Sequence, residues 1–286
     1  MSVSVQKTSP VDPHSEHSVS PLSLASSLWR HRRLAIQMTK REVIGRYRGS
    51  VLGLAWSFFN PVLMLIVYTF FFAVIFKSRW GGAGSDSKTE FAVILFVGMI
   101  VHALFAEILN RAPRVVLDNS NYVKKVVFPI EILPVIGIGV ALFHSVVSLF
   151  VLLIAFFIFN GFLNWTAVFI PIVIFPLVVL SLGAAWFLAA LGVYLRDVSQ
   201  TIGLFTTVLM FLSPVFYPAT SLPEAVRPWL LANPLTFIIE QARDVMIWGK
   251  LPNFQGLAVY LICSVFIAWL GYAWFQKTRK GFADVL

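Results

Sequence analysis

The stretch TKREVIGRYRGSVLGLAWSFFNP, residues 39–61, passes from a cluster of cations into an apolar run with no loop between them. Lys40, Arg41, Arg46 and Arg48 fall in its first half, and after Arg48 no charged residue occurs until Lys77. The rest of the 286-residue chain repeats the second half of this pattern. Residues 132–195, 198–223 and 251–276 also lack Asp, Glu, Lys and Arg. A membrane-spanning helix needs about 20 apolar residues, so the gap at 132–195 has room for two. Hydrophobic residues make up 58% of the chain and charged residues 12%, too few charges to cover a soluble protein of this size. The expected fold class is therefore all-α and polytopic, with six transmembrane helices near 52–76, 91–111, 130–158, 165–193, 199–217 and 256–276.

Six spans put both termini on one side. With both ends cytoplasmic, sixteen Lys and Arg fall on the inner side and six on the outer. That bias agrees with the positive-inside rule. The net charge of +9 is thus read as topology and lipid attraction, with no nucleic-acid partner expected. Residues 1–22, rich in Ser, Pro and His, have no apolar signal core and read as a disordered cytoplasmic tail ahead of a membrane domain at 23–286. No internal repeat is visible, which argues against an inverted-repeat carrier. The single Cys263 excludes an intramolecular disulfide and reads as a small buried hydrophobe.

Three segments outside the spans stand out. From Leu24 to Arg48, apolar residues such as Trp29, Ile36 and Ile44 alternate with seven cations. Such a helix can lie in the headgroup layer, with Arg41, Arg46 and Arg48 near lipid phosphates. Gly49-Ser50 and Gly53 would allow a turn into the first span. Residues 111–129, RAPRVVLDNSNYVKKVVFP, read as a structured cytoplasmic loop bracketed by Pro113 and Pro129. Residues 233–252 carry Asn233 and Pro234 as a helix start and Gly249 with Pro252 as a stop. Leu235, Ile238, Ile239, Ala242 and Met246 share one face of that helix, with Glu240, Arg243 and Asp244 away from its centre. It is too short to span and reads as an amphipathic or re-entrant piece on the outer side.

Enzyme chemistry finds little support. The phosphate-binding pattern G-x-x-x-x-G-K-[ST] is absent, as are G-x-G-x-x-G and H-E-x-x-H. No catalytic, cofactor-binding or metal-ligating residues are expected. His102 and His144 read as packing or hydrogen-bonding residues. Glu107 and Arg111, four apart, are expected to pair, and Glu131 to face the start of the third span. No acid or histidine offers a clear mid-membrane relay for an ion-coupled flippase. The scattered acids likewise fail to form a transferase site. Aromatic rings are abundant, and Trp56, Phe59, Tyr68, Phe205, Phe211, Phe216 and Tyr217 of spans one and five are candidates to line a path for sugar faces.

Five stretches carry a family resemblance: REVIGRYRGSVLGLAWSFFNPVL (41–63), NSNYVKKVVFPIEILPV (119–135), YLRDVSQ (194–200), FLSPVFYP (211–218) and NPLTFIIEQARDVMIWG (233–249). In this order they resemble the permease subunits of ABC-2-type exporters. The similarity is to the polysaccharide branch, which exports O-antigen, with capsule and teichoic-acid export relatives. The resemblance implies a homodimer in the bacterial inner membrane, paired with two copies of an ABC ATPase that holds the ATP and Mg. The implied cargo is an undecaprenyl-linked polysaccharide, or a smaller amphiphile or drug within the same superfamily. It further implies ATPase coupling through Arg114, Asp118, Asn119, Tyr122, Lys124 and Lys125, with Arg196 and Asp197 as a second contact. The aromatics of spans one and five would face a channel between protomers, and Asn233, Glu240 and Arg243 would belong to an outer gate segment.

Overall fold

The computed structural model describes residues 20–75, 88–123, 128–221, 223–224 and 227–286, and among them every regular element is helical. The chain opens with α1 (Pro21–Arg46), capped by Ser20, whose hydroxyl accepts from the Ser23 amide at 3.1 Å. The helix starts two residues inside the stretch assigned to the tail, because Ser20-Pro21 supplies both a cap and a proline at the first helical position. Gly49 and Gly53, at φ +86° and +50°, turn the chain out of α1. The conformation is open to glycine at little cost, which accounts for the loopless join in residues 39–61.

Five helical stretches are long and apolar enough to cross a membrane: Gly53–Phe72, Phe91–Arg114, Ile130–Asn160, Trp165–Tyr194 and Phe254–Gly281. They contain α2 (Trp56–Tyr68), α3 (Lys88–Arg111), α5 (Leu133–Asn160), α6 (Ile170–Tyr194) and α10 (Phe254–Thr278). The short α4 (Ser120–Val123) lies between α3 and α5. The apolar window of α3 is 78% buried and that of the first span 11%. The centre of the bundle is therefore α3, and α2 packs at its edge with most of its surface uncovered. Beyond α2 the chain widens into π-helical turns over Thr69–Ile75.

The fifth expected span is shorter than 199–217. The helix α7 (Val198–Leu212) has 15 residues and measures about 22 Å, against about 30 Å of hydrocarbon. It stops because Ser213 precedes Pro214 and adopts extended angles, φ −93° and ψ 151°. The chain continues through α8 (Arg227–Ala232) into α9 (Pro234–Met246). The descent from one end of the bundle to the other is thus shared between a short helix and a bent segment, not made by one span.

The tightest helix pair is α6 with α10, and small residues make it so. A Cβ on Gly183 would sit 2.6 Å from the Ala268 Cα, and one on Gly271 2.0 Å from the Gly183 carbonyl oxygen. Backbones can approach this closely only where side chains are missing. After α10 the chain ends in α11 (Phe282–Val285), whose Phe282 is fully buried against Phe275. Cys263 departs from expectation: it lies on an exposed face of α10, which turns Ser264 inward instead.

Candidate functional site

At one end of the bundle a polar network ties α1 to the spans. Arg46 donates to Glu107 of α3 at 2.8 Å, and His144 of α5 places Nδ1 2.9 and 3.0 Å from the two Glu107 oxygens. With Nδ1 donating, Nε2 accepts from the Tyr47 hydroxyl at 3.1 Å. One turn away, Glu42 of α1 pairs with Arg111 of α3. The expected Glu107–Arg111 pair is therefore corrected: each takes a partner from α1, because both face the helix lying across them. His144 behaves as a hydrogen-bonding residue, as does buried His102, which donates from Nε2 to the Thr206 carbonyl at 3.0 Å. Thr206 in turn donates to Asn110 at 3.1 Å, so α7 is held to α3 by polar contacts.

Glu131 has more partners than a helix dipole. It accepts from Ser27 at 2.9 Å and from Arg279 at 3.0 Å, while its carbonyl accepts from the buried Trp186 indole at 2.9 Å. The first and last helical segments of the described chain therefore meet at the same end of the bundle.

The coupling candidates gather at this end. Arg41 donates to the Tyr122 hydroxyl at 2.9 Å, and the Tyr122 ring stacks on Phe128, 4.4 Å between centroids. Asn119 donates to the Val115 carbonyl at 2.8 Å, whereas Arg114 and Asp118 are exposed. Arg196 and Asp197 are exposed in the turn between α6 and α7. The two regions are neighbours, since a Cβ on Gly192 would lie 2.0 Å from the Pro113 carbonyl oxygen. Lys124 and Lys125 lie outside the described residues, and Arg48 is exposed beyond the end of α1.

Of the aromatic candidates, Trp56, Phe59, Phe205 and Phe211 are exposed on α2 and α7. Both helices pack on α3. Tyr68 is half-buried and packs toward the core. Phe216 stacks on Phe211 and on Phe72, with centroids 5.7 and 6.0 Å apart, so an aromatic row joins the end of α7 to the end of the first span. Tyr217 donates to the Phe211 carbonyl at 3.1 Å.

At the opposite end sits α9. Asn233 caps it as expected, accepting from the Leu235 amide at 2.9 Å, and also donates to Ser213 at 2.9 Å and the Leu212 carbonyl. Gly249 ends the segment at φ +64°. All five residues of the predicted apolar face are buried. Glu240 is exposed, but Arg243 is not: it is 3% accessible and donates to the carbonyls of Ile94, Pro214 and Val215 at 3.2, 2.6 and 3.0 Å. The expectation that set Arg243 with Glu240 and Asp244, away from the centre of the apolar face, gave no sign of this burial and is corrected. Its guanidinium occupies the space left by Gly98, where a Cβ would come within 2.9 Å of it. Burial lowers the pKa of Arg243, and the three carbonyls supply the acceptors that a buried cation requires.

Among the described residues no group of three or more His, Cys, Asp or Glu is arranged to hold a metal. The architecture is that of a multi-pass α-helical membrane protein, and the polar groups described above tie its helices together. Residues 33–247 match the ABC-2 type transporter family, and the chain belongs to that family. It is 28% identical over 265 residues to the O-antigen export system permease protein RfbA of Myxococcus xanthus, covering 92% of this chain and 99% of the relative. It is 23% identical to the polysialic acid transport protein KpsM of Escherichia coli, over 79% of this chain and 87% of the relative. It is 22% identical to the capsule polysaccharide export inner-membrane protein CtrC of Neisseria meningitidis, over 91% and 96%.

Proposed function

We propose that this chain is the permease subunit of an ATP-driven exporter that moves a lipid-linked polysaccharide, O-antigen foremost, outward across a bacterial inner membrane. The observation that carries this is the match along 92% of the chain to a relative named for O-antigen export. Relatives named for polysialic acid and capsule export make a capsule polymer the second reading. Two copies of the chain pair, and two copies of a separate ATPase bind ATP and Mg. The exposed aromatics of α2 and α7 would line a path between the copies, where ring faces take up sugar faces without a fixed register. The exposed residues Arg114, Asp118, Arg196 and Asp197 offer the ATPase its contacts, and Lys124 and Lys125, close to Asp118 in sequence, are assigned to the same role. Both termini face the cytoplasm, in keeping with the excess of Lys and Arg on that side. The undecaprenyl pyrophosphate of the cargo would be drawn to the cations of α1.

The test is a deletion strain complemented by the wild-type gene. Surface glycan is stained and lipid-linked polymer is extracted from inside the cell. Loss from the surface with accumulation inside, reversed by complementation, supports the reading and yields the glycan for analysis. Normal surface glycan with no internal polymer rejects polysaccharide as the cargo and leaves the family's smaller amphiphiles.

A further inference from the structure

Between α1 and α5, on the flank of α1 away from the Glu107 network, lies a cavity of about 530 Å³. Ile36, Val43 and Ile44 of α1 form one wall, and Leu142 and Phe143 of α5 the other. Its size is within the range that accepts a whole small ligand. The height of the slot is set where the helices cross: a Cβ on Gly139 would lie 2.7 Å from the Thr39 hydroxyl, so α1 rests on bare α5 backbone at that point.

Two features say what enters it. The first is charge. Lys40 is the one charged residue among the described residues lining the slot. The only carboxylate on α1, Glu42, is on another side of the helix and paired with Arg111. The field along α1 is thus cationic and favours an anion at Lys40. The second is continuity. From Phe143 an exposed apolar stripe runs along α5 through Val146, Phe150 and Ile154, spaced three and four residues apart. It extends about 16 Å, close to half the hydrocarbon thickness and so to the depth of one leaflet. No residue of α7 and none of the aromatic path candidates lines the slot, although Leu54 at the start of the first span does.

We propose that this slot is a binding site for one anionic phospholipid, with an acyl chain between α1 and α5, running onto the α5 stripe, and the phosphate at Lys40. The lipid fills the slot beside the Thr39–Gly139 crossing and steadies α1 against α5 there. Because Arg41 on the same helix holds Tyr122, lipid occupancy then steadies the Tyr122 side of the segment after α3. The proposal rests on the reading of α1 as a helix at the membrane surface, and not on the identity of the cargo.

The test uses the full chain with its ATPase, delipidated in detergent and titrated with dioleoyl phosphatidylglycerol or dioleoyl phosphatidylcholine under native mass spectrometry. The expected result is one phosphatidylglycerol per chain, preferred roughly fivefold over phosphatidylcholine, the factor that one near-surface cation contributes. Lys40→Glu, an exposed change that leaves the fold alone, removes the preference. Ala35→Trp fills the slot and removes the bound lipid. Arg30→Glu, on the same helix outside the slot, leaves both intact. Equal binding of the two lipids, retention undiminished in both Lys40→Glu and Ala35→Trp, or displacement of phosphatidylglycerol by a polyprenyl phosphate overturns the proposal. A nitroxide on Gln37→Cys, in a Cys263→Ser background in nanodiscs, reports separately on α1. A label in bulk water sinks the surface reading and the lipid site together. A label at headgroup depth with no lipid preference sinks the lipid site alone.

Discussion

Arg243 joins parts of the fold that are far apart in sequence. Its three carbonyl partners belong to α3 and to the bend after α7, so one guanidinium holds three segments together. Removing it leaves buried acceptors without donors, each costing about 1–3 kcal/mol. Arg243→Ala is therefore expected to lower the thermal stability of the purified protein sharply, and Arg243→Lys to recover only part, because the three donors of an ammonium share one nitrogen and do not reproduce the spread of Nε, Nη1 and Nη2 toward three separate carbonyls. Unchanged melting of Arg243→Ala would show that the bend is held elsewhere. The Glu107 network is a weaker device. Arg46 is 54% exposed, so its pair with Glu107 is worth about 0.2–1 kcal/mol. A double-mutant cycle with Arg46→Ala and Glu107→Gln should return a coupling of that size, and faster hydrogen exchange over residues 38–48 in each single variant. A coupling of zero would mean that α1 is held by packing alone.

At the scale of elements, much was legible because the signals were local. Charge-free gaps marked the spans, Asn233-Pro234 and Gly249 bracketed α9, and Gly49 with Gly53 marked the turn out of α1. The length of α7 was also written locally, in Ser213-Pro214, but its apolar composition continued past the break and suggested a longer span. What could not be read was pairing over long chain separations. Nothing near Glu107 reveals Arg46, 61 residues away, and nothing near Arg243 reveals the Ile94 carbonyl, 149 residues away. The polarity of Arg243 set it away from the centre of the apolar face, and only the assembled bundle shows acceptors waiting within. The candidate aromatics were legible as a set, but which of them are exposed depended on α3 being the buried centre. The α6–α10 contact makes its own prediction. Gly183→Leu or Gly271→Leu has no room for a side chain against a facing backbone and should abolish folded protein, seen as loss of the monodisperse peak in size-exclusion chromatography. A monodisperse Gly271→Leu protein would show that the two helices can separate.

For the whole molecule, the proposed function asks the uncovered faces of α2 and α7 to do what the buried ones cannot, which is to meet a second copy and a passing glycan. Replacing Trp56 and Phe205 together with Ala should slow glycan export severalfold while leaving ATP hydrolysis by the complex intact, since neither ring is among the residues proposed to contact the ATPase. Equal loss of hydrolysis would place the defect in assembly instead. The most direct test is transport by purified components. The chain and its ATPase are reconstituted in vesicles with the lipid-linked glycan on the ATPase side, and the glycan protected from an added glycosidase is measured with time. The account predicts protection that requires ATP and is lost with an ATPase unable to hydrolyse it. Glycan that stays fully digestible while ATP is consumed, or that becomes protected without ATP under an ion gradient, would contradict it.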